Sequence, residues 1–153
     1  MYTFELESLS DTERFAKAFS DKIAPGTVIL LSGDLGSGKT TFTQFLGKAL
    51  GVKRHMTSPT FNIIKSYQGK FRIHHMDCYR LEDSDEDLGF DEYFNDNDVA
   101  IVEWPQFIED YLPADYISIS MSYIDESKRV LEMTATGDNN IKIAGEVHDQ
   151  FTV

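Results

Sequence analysis

The chain has 153 residues, 41% of them apolar, a net charge of −12 at pH 7 and a single cysteine. This length and apolar content predict one domain over residues 1–153 with one sizeable core. The negative charge argues against independent binding of DNA or RNA, the single cysteine excludes an internal disulfide and a multi-cysteine zinc site, and the lack of an apolar run of about 18 to 20 residues, with an acidic N-terminus, predicts a cytoplasmic protein.

The first third of the chain is predicted to alternate between strands and helices. "YTFELES" predicts a short strand, and "SDTERFAKAFSDKIA" predicts a helix with its N-cap at Ser10 or Asp11 and its end at Pro25-Gly26. "TVILLSG" is too short for a helix and is typical of a strand buried on both faces of a parallel sheet. "KTTFTQFLGKALGV" predicts a helix that stops at Gly51. Its apolar residues at helical spacing are Phe42, Phe45, Leu46, Ala49 and Leu50.

The rest of the chain predicts further strands and one short helix. "FNIIKSY" and "KFRIHHMD" flank Gln68-Gly69 and predict a β-hairpin. "VAIVEW" is another short apolar run, and "PQFIEDYLP" predicts a helix of one or two turns with Pro105 at its first position and Pro113 at its end. "DYISISMSYI" and "KRVLEMTAT" predict an antiparallel pair at a sheet edge. The tail from Gly137 has weak signals, and we expect it to be frayed.

The segment from Gly33 to Thr40, "GDLGSGKT", matches the phosphate-binding pattern G-x-x-x-x-G-K-[ST] at every fixed position. An apolar strand ends at its first glycine, and a helix begins at its lysine. Glycines let successive backbone N–H groups point at phosphate oxygens, and the helix N-terminus adds partial positive charge. Lys39 can reach the β- and γ-phosphates, the Thr40 hydroxyl can ligate Mg²⁺, and Thr41 either contributes its hydroxyl or packs. The pattern therefore predicts a nucleoside triphosphate site.

These elements predict the fold class. We expect a three-layer α/β P-loop domain with a mainly parallel central sheet and antiparallel strands added at the C-terminal edge. The loop alone does not identify the reaction, because enzymes, switches and motors share it.

A carboxylate near the magnesium ion is the second requirement of such a site. Glu103 directly follows the apolar run "VAIV" and is the better candidate for a metal ligand, directly or through water; it could also be an ordinary glutamate at a strand end. Asp77 follows the more polar "FRIHHM". It either orients the attacking water or caps the next helix.

Three further features have a structural and a functional interpretation. His74 and His75 are adjacent, so they point to opposite sides of a strand and favour a structural role over a shared metal. Cys78 is predicted to be a buried thiol. "TSPTF", residues 57–61, is either a plain loop or a switch that senses the γ-phosphate.

Residues 82–98 carry nine acidic and no basic side chains. Such a run is typical of a solvated acidic face. The alternative is a docking surface for a basic partner. Its apolar anchors would be Leu88, Phe90, Tyr93 and Phe94.

Five blocks in order, "GDLGSGKTTF", "TSPTF", "HHMDCYRL", "GFDEYF" and "VEWP", resemble the bacterial TsaE family, small P-loop ATPases of tRNA threonylcarbamoyladenosine biosynthesis. The resemblance covers about residues 3 to 135. It implies a cytoplasmic protein that joins the TsaD and TsaB proteins and hydrolyses ATP. Hydrolysis would sustain formation of the threonylcarbamoyl group on the adenosine beside the anticodon. The protein would not carry out the transfer itself, and it would contact tRNA only through its partners.

The resemblance also implies roles for individual residues. Thr40 and Glu103 would lie at magnesium, Thr60 would be the switch threonine, Asp77 the acidic residue of the "HHMDCYRL" block and Trp104 the aromatic residue beside Glu103. The phosphate-binding residues would be Leu35, Gly36, Ser37, Gly38, Lys39 and Thr40. Weaker matches suggest further nucleotide contacts at Thr12, Lys128 and Arg129.

The activity expected from this resemblance is a slow Mg²⁺-dependent ATPase that partner proteins stimulate, because no arginine finger is evident near the phosphates. The main alternative is a small P-loop kinase that transfers the γ-phosphate to a small acceptor. A kinase normally clamps its phosphates with several arginines, whereas this chain has five scattered ones. They are Arg14, Arg54, Arg72, Arg80 and Arg129. A third possibility is a nucleotide-gated binding module without useful catalysis.

Overall fold

A computed structural model describes residues 1–34, 36–54, 56, 64–79 and 89–152. Its strands are β1 (Tyr2–Leu6), β2 (Val28–Gly33), β3 (Ile64–Gln68), β4 (Arg72–Asp77), β5 (Val99–Glu103), β6 (Ile117–Tyr123) and β7 (Arg129–Ala135). Its α-helices are α1 (Leu9–Ser20), α2 (Lys39–Ala49) and α3 (Asp138–Thr152), and two 3₁₀ helices span Phe90–Tyr93 and Pro105–Tyr111. Within these ranges no helix is both long enough and apolar enough to span a bilayer.

The seven strands form one mixed sheet in the order β1-β7-β6-β2-β5-β4-β3. The four central strands, β6, β2, β5 and β4, are parallel, and antiparallel strands flank them on both sides. The predicted α/β class, the β3/β4 hairpin and the antiparallel β6/β7 pair are confirmed. The prediction that β6 and β7 form the sheet edge is wrong, because β1 pairs with β7 from Tyr2↔Met133 to Leu6↔Arg129 and covers it.

The sheet separates two hydrophobic cores, which gives the predicted three layers. Ile29 and Leu31 of β2 face the core covered by the α-helices. Val28 and Leu30 face a smaller core that includes both 3₁₀ helices. All four side chains are buried because alternate residues of a strand point to opposite faces. The prediction of a strand buried on both faces is confirmed.

Helix α1 begins two or three residues earlier than the sequence predicted. Its N-cap is Ser8, whose backbone is extended (φ −158°, ψ 171°) and whose hydroxyl accepts a hydrogen bond from the Asp11 N–H at 3.3 Å. The N-cap predicted at Ser10 or Asp11 is therefore wrong, since both residues lie inside the first turn. The Glu7 N–H in turn donates to the Asp11 carboxylate at 2.9 Å, which fixes the chain as it enters the helix.

The C-terminal tail, expected to be frayed, instead forms α3 and packs on the domain. Four residues at helical spacing are buried: Ile143, Ala144, Val147 and Phe151. The Phe151 ring lies 5.5 Å from that of Phe4 and 5.7 Å from that of Phe15, and the Arg14 guanidinium donates to the Phe151 carbonyl at 2.9 Å. The tail is ordered because this apolar stripe completes the core beside α1.

Candidate functional site

The carboxyl ends of β2, β4 and β5 lie side by side at one edge of the sheet. In the parallel register Leu31 of β2 is opposite Glu103 of β5, and Glu103 is opposite Asp77 of β4. Parallel α/β sheets usually bind ligands outside this edge. The structure therefore places Glu103 on the strand next to the one that leads into the phosphate loop, residues 33–40, and Asp77 one strand further away.

The phosphate loop turns sharply at its glycines. Gly33 has a φ of 147°, and a Cβ atom there would lie 2.5 Å from the Met121 carbonyl oxygen and 2.7 Å from the Ser37 hydroxyl oxygen. Gly36 and Gly38 also have positive φ values, 83° and 101°. These conformations favour glycine, and they let the chain reverse from β2 into α2 within a few residues.

The loop presents donors that lack protein partners. Gly38 is the N-cap of α2, and among the described residues no side chain caps this helix end. The Ser37 hydroxyl is buried and has no hydrogen-bond partner in the same set of residues. An uncapped helix N-terminus beside an unsatisfied hydroxyl fits anionic phosphate oxygens. Leu35, predicted to take part, lies outside the described residues.

A cavity of about 310 Å³ opens between this loop and the carboxyl ends of β2 and β6. Its walls are formed by Ser32, Gly33, Asp34, Lys39, Trp104, Gln106, Ser120, Met121 and Ser122. Lys39 and the first glycine of the loop thus line the same open space.

Lys39 and Glu103 meet across this edge of the sheet. The Lys39 ammonium lies 3.9 Å from Glu103 Oε1, and both side chains are largely shielded from solvent, with 10% and 6% of their surface exposed. The ammonium also lies 4.7 Å from the centre of the Trp104 ring. The possibility that Glu103 is an ordinary surface glutamate is excluded by its burial.

Trp104 is the only non-glycine residue in the described ranges with a positive φ, 57°. It ends β5 and precedes Pro105, the first residue of the second 3₁₀ helix. Its indole stacks on the Phe107 ring at 6.0 Å and lies 4.9 Å from the Tyr79 ring. An unfavourable backbone conformation held by such packing is typical of functional positions.

The other oxygen of Glu103 accepts a hydrogen bond from a histidine. His75 Nε2 lies 2.6 Å from Glu103 Oε2, and both residues are buried. Sequence reasoning assigned His75 a structural role and missed this contact. The sequence carried a partial signal, because His75 is two residues before Asp77 on the same strand and must share its face, but the contact with Glu103 depends on the order of the strands.

His74 points to the opposite face, as predicted. Its ring nitrogens contact the Ser66 hydroxyl at 2.7 Å and the Asp98 carboxylate at 2.8 Å. Hydrogen bonds from Asn95 and His74 hold the pKa of the Asp98 carboxyl below its usual range. His74 therefore ties the chain before β5 to the hairpin and lies away from the phosphate loop.

Asp77 is the last residue of β4, and Cys78 follows it. Asp77 Oδ1 accepts a hydrogen bond from the Tyr79 N–H at 3.2 Å. Residues 80–88, where a capped helix would continue, lie outside the described ranges. Cys78 is buried as predicted, and its N–H donates to the Glu103 carbonyl at 3.0 Å. Burial, aided by the charges of Asp77 and Glu103, raises the pKa of the Cys78 thiol to about 12. This thiol is unsuited to nucleophilic chemistry.

Thr41 and the three weaker candidates lie at different places. Thr12, Thr41 and Arg129 line a small cavity of about 60 Å³ beside Gly38. Arg129 Nε donates to the Ser37 carbonyl at 3.1 Å, so this arginine contacts the backbone of the loop. Lys128 instead pairs with Glu7, at 3.7 Å.

Several residues singled out in the sequence lie outside the described ranges or in the acidic segment. Thr60 and the whole "TSPTF" segment lie outside the described residues, as do residues 80–88. In the rest of the acidic segment Phe90 is buried, and Tyr93 and Phe94 pack against the smaller core. Phe90 is therefore not a free anchor for a partner, Tyr93 and Phe94 are partly exposed, and Leu88 is among the undescribed residues.

The donor set suits Mg²⁺ better than a softer metal. No group of three or more histidine, cysteine, aspartate or glutamate side chains in the described ranges could hold a metal ion alone. Glu103 offers a carboxylate oxygen beside the loop, and Thr40 offers a hydroxyl from the first turn of α2. Mg²⁺ is commonly bound by one or two protein oxygen ligands together with phosphate oxygens, so these residues fit the ion.

A family model, relatives of known name and a solved structure all resemble this chain over most of its length. A family model described as threonylcarbamoyl adenosine biosynthesis protein TsaE matches residues 6–131. The tRNA threonylcarbamoyladenosine biosynthesis protein TsaE of Bacillus subtilis is 41% identical over 145 residues, covering 93% of this chain and 92% of the relative. That of Rickettsia bellii is 37% identical over 133 residues, covering 84% and 92%. The crystal structure of Bacillus subtilis YdiB superposes with a TM-score of 0.83 at 33% identity, covering 97% of this chain and 95% of the other.

Proposed function

Because the chain belongs to the TsaE family, whose members take part in tRNA threonylcarbamoyladenosine biosynthesis, we propose that it is the ATP-binding and ATP-hydrolysing protein of that pathway. It acts in a complex with the TsaD and TsaB proteins and sustains the modification of the adenosine beside the anticodon. Its charge of −12 favours contacts with proteins over direct contacts with tRNA.

The contact between Lys39 Nζ and Glu103 Oε1 is the observation that carries this proposal. It joins the lysine of the phosphate loop to a buried carboxylate on the neighbouring parallel strand. The two groups have the charges needed for phosphate oxygens and for a divalent cation, and they lie 3.9 Å apart. A glycine-rich turn with only a structural role would not need this pair.

The residues of the site have the following proposed roles. The backbone N–H groups of Gly36 and of residues 38–40 and the Ser37 hydroxyl bind phosphate oxygens, and Lys39 neutralises the charge of the β- and γ-phosphates. Thr40 and Glu103 hold Mg²⁺, which when bound shields the phosphates and stabilises the charge that develops on them. Asp77 orients the attacking water, and Thr60 senses the γ-phosphate. Thr12, Thr41, Lys128 and Arg129 contact the rest of the nucleotide.

We further propose that hydrolysis by the isolated chain is slow. Among the described arginines, Arg129 contacts the loop, and it already donates from Nε to the Ser37 carbonyl and from Nη1 to the Asp125 and Lys128 carbonyls. It holds the loop and has few donors left for the transferred phosphoryl group. A partner protein would then supply the missing cation, and an arginine finger supplied in this way is worth about 10³- to 10⁵-fold in rate.

The test is the rate of phosphate release from ATP, measured for the isolated chain and with TsaD and TsaB present. We expect slow turnover alone and a rate at least about tenfold higher in the complex. Lys39→Ala should abolish ATP binding, whereas Glu103→Gln should retain binding and lose hydrolysis.

Three results would contradict the proposal. Fast hydrolysis without partners would remove the need for a complex. A phosphorylated small acceptor formed in excess ATP would identify a kinase. Full tRNA modification with Glu103→Gln in place of the native protein would show that nucleotide binding suffices and that hydrolysis is not used.

A further inference from the structure

The contact between His75 and Glu103 has a consequence for metal binding. We propose that His75 is the positioning residue that fixes the Glu103 carboxylate so that Oε1 is available to Mg²⁺. This inference rests on the proposed function, because it assumes that Glu103 is a magnesium ligand.

His75 is held rigidly on the correct face of the sheet. It belongs to β4, where it is paired with Lys65 of β3 and Ile101 of β5, and only 2% of its surface is exposed. Both neighbouring strands fix its backbone, and its burial leaves the ring little freedom. Because a carboxylate only accepts hydrogen bonds, the ring must carry a hydrogen on Nε2 and donate to Glu103 Oε2 at 2.6 Å.

His75 differs from a histidine that only holds the core together in the hydrogen bonding of its other ring nitrogen, Nδ1. His75 Nδ1 is buried and has no hydrogen-bond partner among the described residues. Within those residues, the side-chain hydrogen bond of this ring is therefore the one between Nε2 and Glu103. His74, the next residue on the opposite face, contacts Ser66 through one nitrogen and Asp98 through the other. His74 joins structural elements, whereas His75 acts on a single carboxylate.

The hydrogen bond divides the two oxygens of Glu103. Oε2 is engaged by His75, and Oε1 faces Lys39 and the phosphate loop. Without the donor, Oε2 would be buried and unpaired, which is costly for a carboxylate. Glu103 would then reorient, most simply by closing on the Lys39 ammonium, and Oε1 would be lost as a metal ligand. Mutation of a residue that orients a metal ligand typically weakens metal binding by about 10- to 100-fold.

The experiment measures metal binding without turnover. The Kd of ATP is determined by isothermal titration calorimetry in EDTA and at increasing free Mg²⁺, for the native chain and for three variants of His75. Trp104, the only tryptophan of the chain, lies beside Lys39 and provides a second, fluorescent readout. For the native chain we expect Mg²⁺ to tighten ATP binding.

The variants differ in the donor that they retain. His75→Leu removes the donor. It should raise, by at least about tenfold, the Mg²⁺ concentration at which the tightening of ATP binding is half-maximal. His75→Gln places an amide N–H where Nε2 lies and should stay near the native value. His75→Asn carries the same amide on a shorter side chain and should behave like His75→Leu. If His75→Leu fails to fold, the comparison of Gln with Asn decides.

His74→Leu is the matched control, because it removes an equally buried histidine from the other face. It should lower the melting temperature and leave the Mg²⁺ dependence unchanged. A native Mg²⁺ midpoint in His75→Leu and His75→Asn would overturn the inference and leave the proposed function intact. A native chain that does not bind ATP, or binds it equally well with and without Mg²⁺, would overturn the proposed magnesium site and this inference with it.

Discussion

At the scale of single residues, Gly33 has the least space of the glycines in the phosphate loop. We predict that Gly33→Ala destabilises the fold by about 2 to 4 kcal/mol. Its φ of 147° is unfavourable for alanine, and the new methyl would collide with the Met121 carbonyl of β6. Urea denaturation followed by circular dichroism measures the free energy of unfolding.

Gly36→Ala separates the two causes. Its φ of 83° is also in the left-handed region, yet nothing lies within 4 Å of a Cβ built there. Gly36→Ala should therefore lower the free energy of unfolding by only about 1 to 2 kcal/mol, because it carries the cost of the backbone conformation without a steric clash. Equal losses in both variants would show that the contact with Met121 is unimportant.

The sequence placed Lys39, Glu103 and Asp77 correctly at one edge of the sheet. Lys39 is fixed by a local pattern, and a carboxylate after an apolar strand is visible in the order of residues. The contacts of His75 and Arg129 could not be predicted in the same way. His75 is 28 residues from Glu103 and Arg129 is 92 from Ser37, so both contacts depend on how strands are ordered in the sheet.

At the scale of secondary-structure elements, the start of α1 depends on a single hydroxyl. We predict that Ser8→Ala destabilises the protein by about 1 kcal/mol, because the Asp11 N–H loses its side-chain acceptor. Thermal and urea unfolding would both report the change.

Ser10→Ala is the control, since Ser10 is exposed inside the first turn. It should change the free energy of unfolding by no more than about 0.5 kcal/mol. A larger effect at Ser10 than at Ser8 would place the N-cap where the sequence first suggested it.

The misplaced N-cap has a simple physical cause. Ser8, Ser10 and Asp11 all suit an N-cap, and local preference does not distinguish them. The spacing of Ser8 and Asp11 is the stronger signal, because a serine three residues before an acid allows reciprocal contacts with the backbone. The sequence thus contained a signal for the N-cap at Ser8, but the signal was weak.

At the scale of the whole molecule, α3 closes the core that α1 and α2 leave open. We predict that Val147→Ala lowers the free energy of unfolding by about 1 to 2 kcal/mol, because Val147 is completely buried. The loss should appear in the single cooperative transition of the domain, observed by calorimetry.

Ile141→Ala provides the comparison on the same helix. Ile141 is 53% exposed, so its truncation should cost no more than about 0.5 kcal/mol. If the two variants were equally stable, α3 would not be part of the cooperative core.

The sequence by itself determined the phosphate loop, the buried strand before it, the hairpin and the α/β class. Each depends on residues within about ten positions, where spacing and alternation limit the backbone. Only the tertiary structure decided that β1 covers β7, that α3 packs on α1, and that Glu103 lies between Lys39 and His75. These contacts join distant parts of the chain. They depend on strand order and on which apolar surfaces remain to be covered, and local spacing specifies neither.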